Sequence, residues 1–96
     1  MIQKFIKKPI PIEAVQWTGN NIYEIRHFSN GNANENSDGY LTVKTLEGTF
    51  KSPNKTGDFL IKGIKGEFYI CEKSIFEDTY MEYDEDRSYA CAQMMF

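Results

Sequence analysis

The sequence predicts an α+β fold: a small, curved, mostly antiparallel sheet in the order β-α-β-β-β-β-α, with two short helices and a C-terminal tail. Three observations predict it. Apolar and polar residues alternate with period two in several short segments. Turn-forming Gly, Asn and Pro separate those segments. Two further segments place apolar residues at helical spacing behind Asn or Ser.

Residues 2–17 read as the first strand, with Ile10, Ile12 and Ala14 on one face and Val15 and Trp17 on the other. Pro9 and Pro11 cannot donate to a ladder, so this strand starts at a sheet edge or enters it late. Asn21 followed by Glu24 forms a capping box, and Ile22, Ile25 and Phe28 give a first helix over Asn21 to Phe28. Ser29 to Gly39 is rich in Asn, Ser, Gly and Asp and reads as a flexible surface loop.

The stretch Tyr40 to Leu46 alternates as a strand, with Tyr40, Thr42 and Lys44 on one side and Leu41, Val43 and Thr45 on the other. Glu47-Gly48 turns into a short strand from Thr49 to Ser52. Asp58 to Lys62 and Glu67 to Cys71 make a hairpin around Gly63-Ile64-Lys65-Gly66. Ser74-Ile75-Phe76-Glu77 is a second capping box and opens the second helix. Residues 1–83 form a single α+β domain, and residues 84–96 an acidic and apolar extension.

Composition narrows the function classes. A chain of 96 residues buries a thin core, so a ligand site is expected on a surface or between subunits. Cys71, Cys91 and the lone His27 lack the count and spacing of a zinc site. No signal-peptide pattern and no membrane-length apolar run occur, which points to the cytoplasm with reduced thiols. The net charge of −3 is unevenly placed. Residues 1–65 carry nine Lys/Arg against six Asp/Glu, and residues 66–96 carry two against eight. A basic body suits an anionic ligand, and an acidic end suits a basic protein.

Catalytic constellations are missing from the pattern. Gly63 and Gly66 mark a hairpin rather than a phosphate loop, and nothing in the sequence joins His27 to Cys71 as a nucleophile pair. No catalytic residue, metal ligand or cofactor is expected, and the chain reads as a non-enzyme. A phosphate-bearing ligand is the sharper expectation. Lys62 and Lys65 flank a turn with free backbone N–H groups, and Arg26 lies on the first helix. Trp17, Tyr23, Tyr40 and Tyr69 are candidates to stack on a base. The plainer reading of the same seven residues is hairpin lysines and packing aromatics. Asp84, Glu85, Asp86, Tyr89, Met94, Met95 and Phe96 form the candidate partner or oligomer interface, with the apolar end expected on a neighbouring subunit and packing on its own domain as the alternative.

Three stretches carry a resemblance. They are Lys7 to Gly19, Thr45 to Gly48, and Gly57 to Cys71 running on into Ser74 to Tyr80. They resemble the "KKPVVIEAVQWTG" opening and the "GDYIIKGVKGEFYPCKPDIFEKTY" block of a family of small, mostly uncharacterised phage and prophage proteins. The sequence departs from that pattern where Asn54-Lys55-Thr56 separates Pro53 from Gly57, and where Ile70 replaces a proline. The resemblance implies a phage context in an infected or lysogenic bacterial host, and no chemistry.

In that context the expected function is counter-defence: an oligomer that sequesters a nucleotide-type immune signal without turning it over. One alternative is an anti-CRISPR-like protein–protein inhibitor acting through the acidic C-terminal surface. A second is an accessory or structural virion protein. The expected partners are further copies of the chain and either a small phosphate-bearing ligand or a host defence protein. Direct nucleic-acid binding and membrane association are not expected.

Overall fold

The computed structural model describes residues 1–82. Its elements are β1 (Glu13–Gln16), α1 (Ile22–Ser29), β2 (Ala33–Glu35), β3 (Leu41–Thr45), β4 (Gly48–Lys51), β5 (Phe59–Lys62), β6 (Phe68–Cys71) and α2 (Lys73–Thr79). The α+β class stands, with one more strand than expected and two sheets in place of one. Sheet A has the order β1-β5-β6 and sheet B the order β2-β3-β4, and every pairing is antiparallel.

The additional strand lies in the Asn-rich stretch that reads as a flexible loop. Asn30 adopts a left-handed conformation, and the N–H groups of Asn30 and Gly31 bond back to the carbonyls of His27 and Arg26. That C-cap reverses the chain after α1. The buried Ser29 hydroxyl then donates to Ile25 O (2.8 Å) and accepts from Ala33 N (3.0 Å). Ala33 is thereby drawn into the core. Asn36 closes the other end, its side-chain oxygen accepting from the N–H groups of Asp38 and Tyr40, both at 2.9 Å. The polar residues that suggest a loop make an Asx-type hairpin turn instead.

The first strand is shorter than its pattern. Only Glu13–Gln16 pairs, with β5 as its partner. Ile10 N donates to Lys8 O (2.8 Å), a tight turn across Pro9 that bends the preceding chain away from the ladder. Neither capping box forms as its sequence suggests. The Asn21 side chain accepts from Thr18 N and Oγ1 and donates to Gln16 O and Glu24 Oε1, and it accepts from no backbone N–H in the first turn of α1. In α2, Ser74 lies inside the helix and bonds Glu72, while the N–H of Lys73 is held by Asp58 from β5's approach.

One core joins the layers. Trp17, Ile25, Ala33, Leu41, Val43 and Leu60 are buried together, with Val15, Ile22, Phe28, Phe68 and Ile70 packed around them. Apolar burial of this kind is the main favourable term in folding. Helix α1 supplies Ile22, Ile25 and Phe28 at the expected spacing. The far side of sheet A is covered too. Ile61 is buried there, and Phe59 stacks on Phe76 of α2 at 3.8 Å, with Tyr80 next at 4.9 Å. The central strand β5 is therefore buried on both faces, through Leu60 on one and Ile61 on the other.

Asp58 ties these parts together. It is fully buried, and its carboxylate accepts from Asn54 N (2.9 Å), Asn54 Nδ2 (3.0 Å) and Lys73 N (3.1 Å). Its carbonyl also accepts from Trp17 N. Among the described residues no buried side-chain N or O atom is left without a partner.

Candidate functional site

The strand register builds a polar, basic surface on the outer face of sheet B. Ala33, Val43 and Phe50 are paired across the sheet on its core side, so Asn34, Thr42 and Lys51 are paired on the other. Lys44 and Thr49 form the next row of that outer face. Tyr40 precedes Leu41 and shares the outer side, where Lys51 Nζ sits 4.5 Å from its ring centroid.

Helix α1 flanks this face. Arg26 Nε donates to Asn34 Oδ1 at 2.7 Å, which fixes the guanidinium at the β2 edge. Tyr23 lies one turn earlier on α1, with its ring centroid 6.0 Å from the Arg26 guanidinium carbon. Thr42 Oγ1 donates to Asn34 O (3.1 Å) and locks the middle of the row. Among the described residues, Arg26, Lys44 and Lys51 have no carboxylate within ion-pair distance; the recorded pair is Lys73–Glu77. Three cations and two tyrosines thus share one side of the molecule, the composition that favours a planar ring carrying negative charge.

The seven residues expected to bind a ligand are divided by the fold. Tyr23, Arg26 and Tyr40 come together on this surface. Trp17 requires a correction: it is fully buried in the core, and its indole N–H donates to Gly39 O (3.2 Å), so its faces are closed to a ligand. Gly39 has φ +87°, and a side chain there would meet Lys55, so this carbonyl position depends on glycine.

Lys62, Lys65 and Tyr69 belong to sheet A. Lys62 pairs with Phe68 and Glu13 on the core-side face, while Tyr69 pairs with Ile61, itself paired with Ala14, on the opposite face. Period-two alternation therefore separates Lys62 from Tyr69. Lys65 is exposed at the hairpin tip. Two of the turn amides expected to be free are used internally, Gly63 N to Glu67 O (2.7 Å) and Gly66 N to Gly63 O (3.0 Å). Burial first, and then the neighbouring Tyr80 hydroxyl, push the Tyr69 phenol up to about 12.

Cys71 ends β6 on the α2 side, where burial and then the Asp58 and Glu72 carboxylates raise its thiol above the ordinary value. His27 lies exposed on α1. Among the described residues no group of three His, Cys, Asp or Glu side chains is arranged to hold a metal ion, and no helix is long and apolar enough to cross a membrane. The tail residues Asp84, Glu85, Asp86, Tyr89, Met94, Met95 and Phe96 lie outside the described residues.

Asn34, Thr42, Lys44 and Lys51 complete the surface and were not singled out from the sequence. Alternation over residues 40–46 places Tyr40, Thr42 and Lys44 on one side. Asn34 and Lys51 join them only through strand register. Comparisons of the chain with family models, with curated proteins and with solved structures produced no match.

Proposed function

We propose that this chain is a phage-encoded, non-enzymatic counter-defence protein that sequesters a nucleotide-type signal on the outer face of sheet B. The observation that carries the reading is the set of Arg26, Lys44 and Lys51 beside Tyr23 and Tyr40, with no carboxylate paired to the cations among the described residues. Arg26 and Lys51 meet phosphate oxygens and Tyr40 or Tyr23 stacks against the base, while the Asn34 amide oxygen holds Arg26 in place. A general acid or base aimed at a reacting atom forms no part of the set, so the ligand is bound and held. The phage setting rests on the three stretches of resemblance.

Native mass spectrometry of protein purified from bacteria with an active nucleotide-signalling defence tests the reading. The expected result is a folded species carrying extra mass that is released as a nucleotide on denaturation, and that is lost in the Arg26→Ala/Lys51→Ala variant. A ligand-free parent protein from such cells sinks the reading. A macromolecular partner then takes its place, with the acidic C-terminal residues as the surface to test.

A further inference from the structure

The segment from Met1 to Ile12 has no regular structure and leaves large apolar side chains in water. Ile2 is 98%, Phe5 85% and Ile6 70% exposed. The same segment carries Lys4, Lys7 and Lys8. Where it joins β1 it borders an open groove of about 480 Å³, lined by Ile10, Pro11 and Ile12 on one side and by Lys62 and Ile64 of the β5–β6 hairpin on the other. Ile64 is 68% exposed. Large apolar side chains left in water on one arm, next to a groove, mark a docking site.

Two features choose the occupant. The first is position. Lys7 Nζ lies 5.7 Å from the ring centroid of Tyr80, so the arm touches the point where the described chain leaves α2. The second is composition. Residues 83–96 carry Asp84-Glu85-Asp86 directly after Tyr83 and finish with Met94-Met95-Phe96. The arm is basic and apolar, and the segment that departs beside it is acidic and then apolar.

We propose that the C-terminal segment 83–96 of the same chain docks on the N-terminal arm. Asp84, Glu85 and Asp86 meet Lys4, Lys7 and Lys8, while Met94, Met95 and Phe96 cover the arm's apolar side chains and the groove. A tether favours this over a second copy, because a short linker holds its end at an effective concentration of about millimolar. Fully extended, residues 83–96 reach roughly 45 Å, enough to run the length of the arm. The charged contact orients the segment, and apolar burial supplies most of the attraction.

Hydrogen exchange followed by mass spectrometry on the full chain tests this. In the parent protein the amides of residues 2–8 are expected to exchange about tenfold more slowly than in the full-length Met94→Asp/Met95→Asp/Phe96→Asp variant. Changing Asp84, Glu85 and Asp86 to Lys speeds exchange in the arm, and adding Lys4→Glu, Lys7→Glu and Lys8→Glu restores the slower rate. Amides of β5 in the same spectra report whether each variant is folded, and the charge-swap pair gives the readout if the apolar substitutions unfold the chain. Equal arm exchange in the parent and in folded variants overturns the proposal. Slow exchange that disappears when the parent is diluted also overturns it, since the occupant is then a second copy.

Discussion

The two sheets are built alike and finished differently. Each has three short antiparallel strands, and each turns one face to the shared core. The outer face of sheet A is apolar and covered, with Ile61 buried and Phe59 stacked under Phe76 of α2. Sheet B shows the opposite finish. Its outer strand β4 is exposed along its whole length, and its outer face carries Lys44, Lys51, Thr42 and Asn34. A sheet buried on both sides spends its side chains on packing, while a sheet open on one side keeps polar groups free for recognition. Both sheets feed the shared core, and sheet B leaves a polar face open to solvent; under the proposed function that open face is where the ligand binds.

The largest effect that can break this contrast comes from the shared core. Trp17→Ala removes the biggest buried side chain and leaves Gly39 O without its donor, at a cost of about 4 kcal/mol. Urea unfolding read by circular dichroism checks it, with the midpoint falling and the slope unchanged.

Asp58→Ala follows, at about 3 kcal/mol, because the N–H groups of Asn54 and Lys73 lose their acceptor together. The same urea series measures it. An Asp58→Asn variant keeps the shape, retains part of that loss and separates the charge from the hydrogen bonds.

Phe76→Ala strips the stack from sheet A and costs about 2 kcal/mol, whereas Lys51→Ala on sheet B stays within about 0.5 kcal/mol. The same Lys51→Ala variant weakens binding of a nucleotide probe such as cyclic di-AMP, and added salt narrows the gap to the parent because it screens the charge that the variant lacks. Calorimetric titration reads that arm. Equal stability losses from the two substitutions would erase the division of labour between the sheets.

The smallest effects concern titration on the covered face. Tyr69 keeps its proton up to about pH 12 in the folded chain, against an ordinary value near 10. The native state therefore binds the extra proton between those values, and stability falls as pH rises from 10 towards 12. Absorbance titration at the phenolate band shows one tyrosine ionising late, and Tyr80→Phe brings it back towards the others. Cys71, its thiol raised by burial, reacts with a thiol reagent at pH 8 more slowly than a free cysteine in a Cys91→Ser background.

Much of this was legible in the residues. Period-two alternation located β3, β4, β5 and β6 to within a residue at each end, and the spacing of Ile22, Ile25 and Phe28 located α1. The errors share a cause. Asn, Ser and Gly in residues 29–39 spell a loop by composition, yet Ser29 and Asn36 use their side chains to build a hairpin. Trp17 looks like a stacking platform, but its place directly after β1 turns it inward among Leu41, Val43 and Leu60. Composition reports what a side chain is able to bond, and the fold decides which bond it makes.

By itself the sequence determined the α+β class, the hairpin pairs, the helix faces and the uneven charge, because each follows from local periodicity and turn chemistry. The tertiary structure alone decided the split into two sheets, the burial of Asp58 as the anchor of α2, and the meeting of Arg26 with Asn34 and of Lys51 with Tyr40. Those contacts join residues 8 to 15 positions apart through strand register and layer packing. A one-residue slip of register would send each of those strand side chains to the other face.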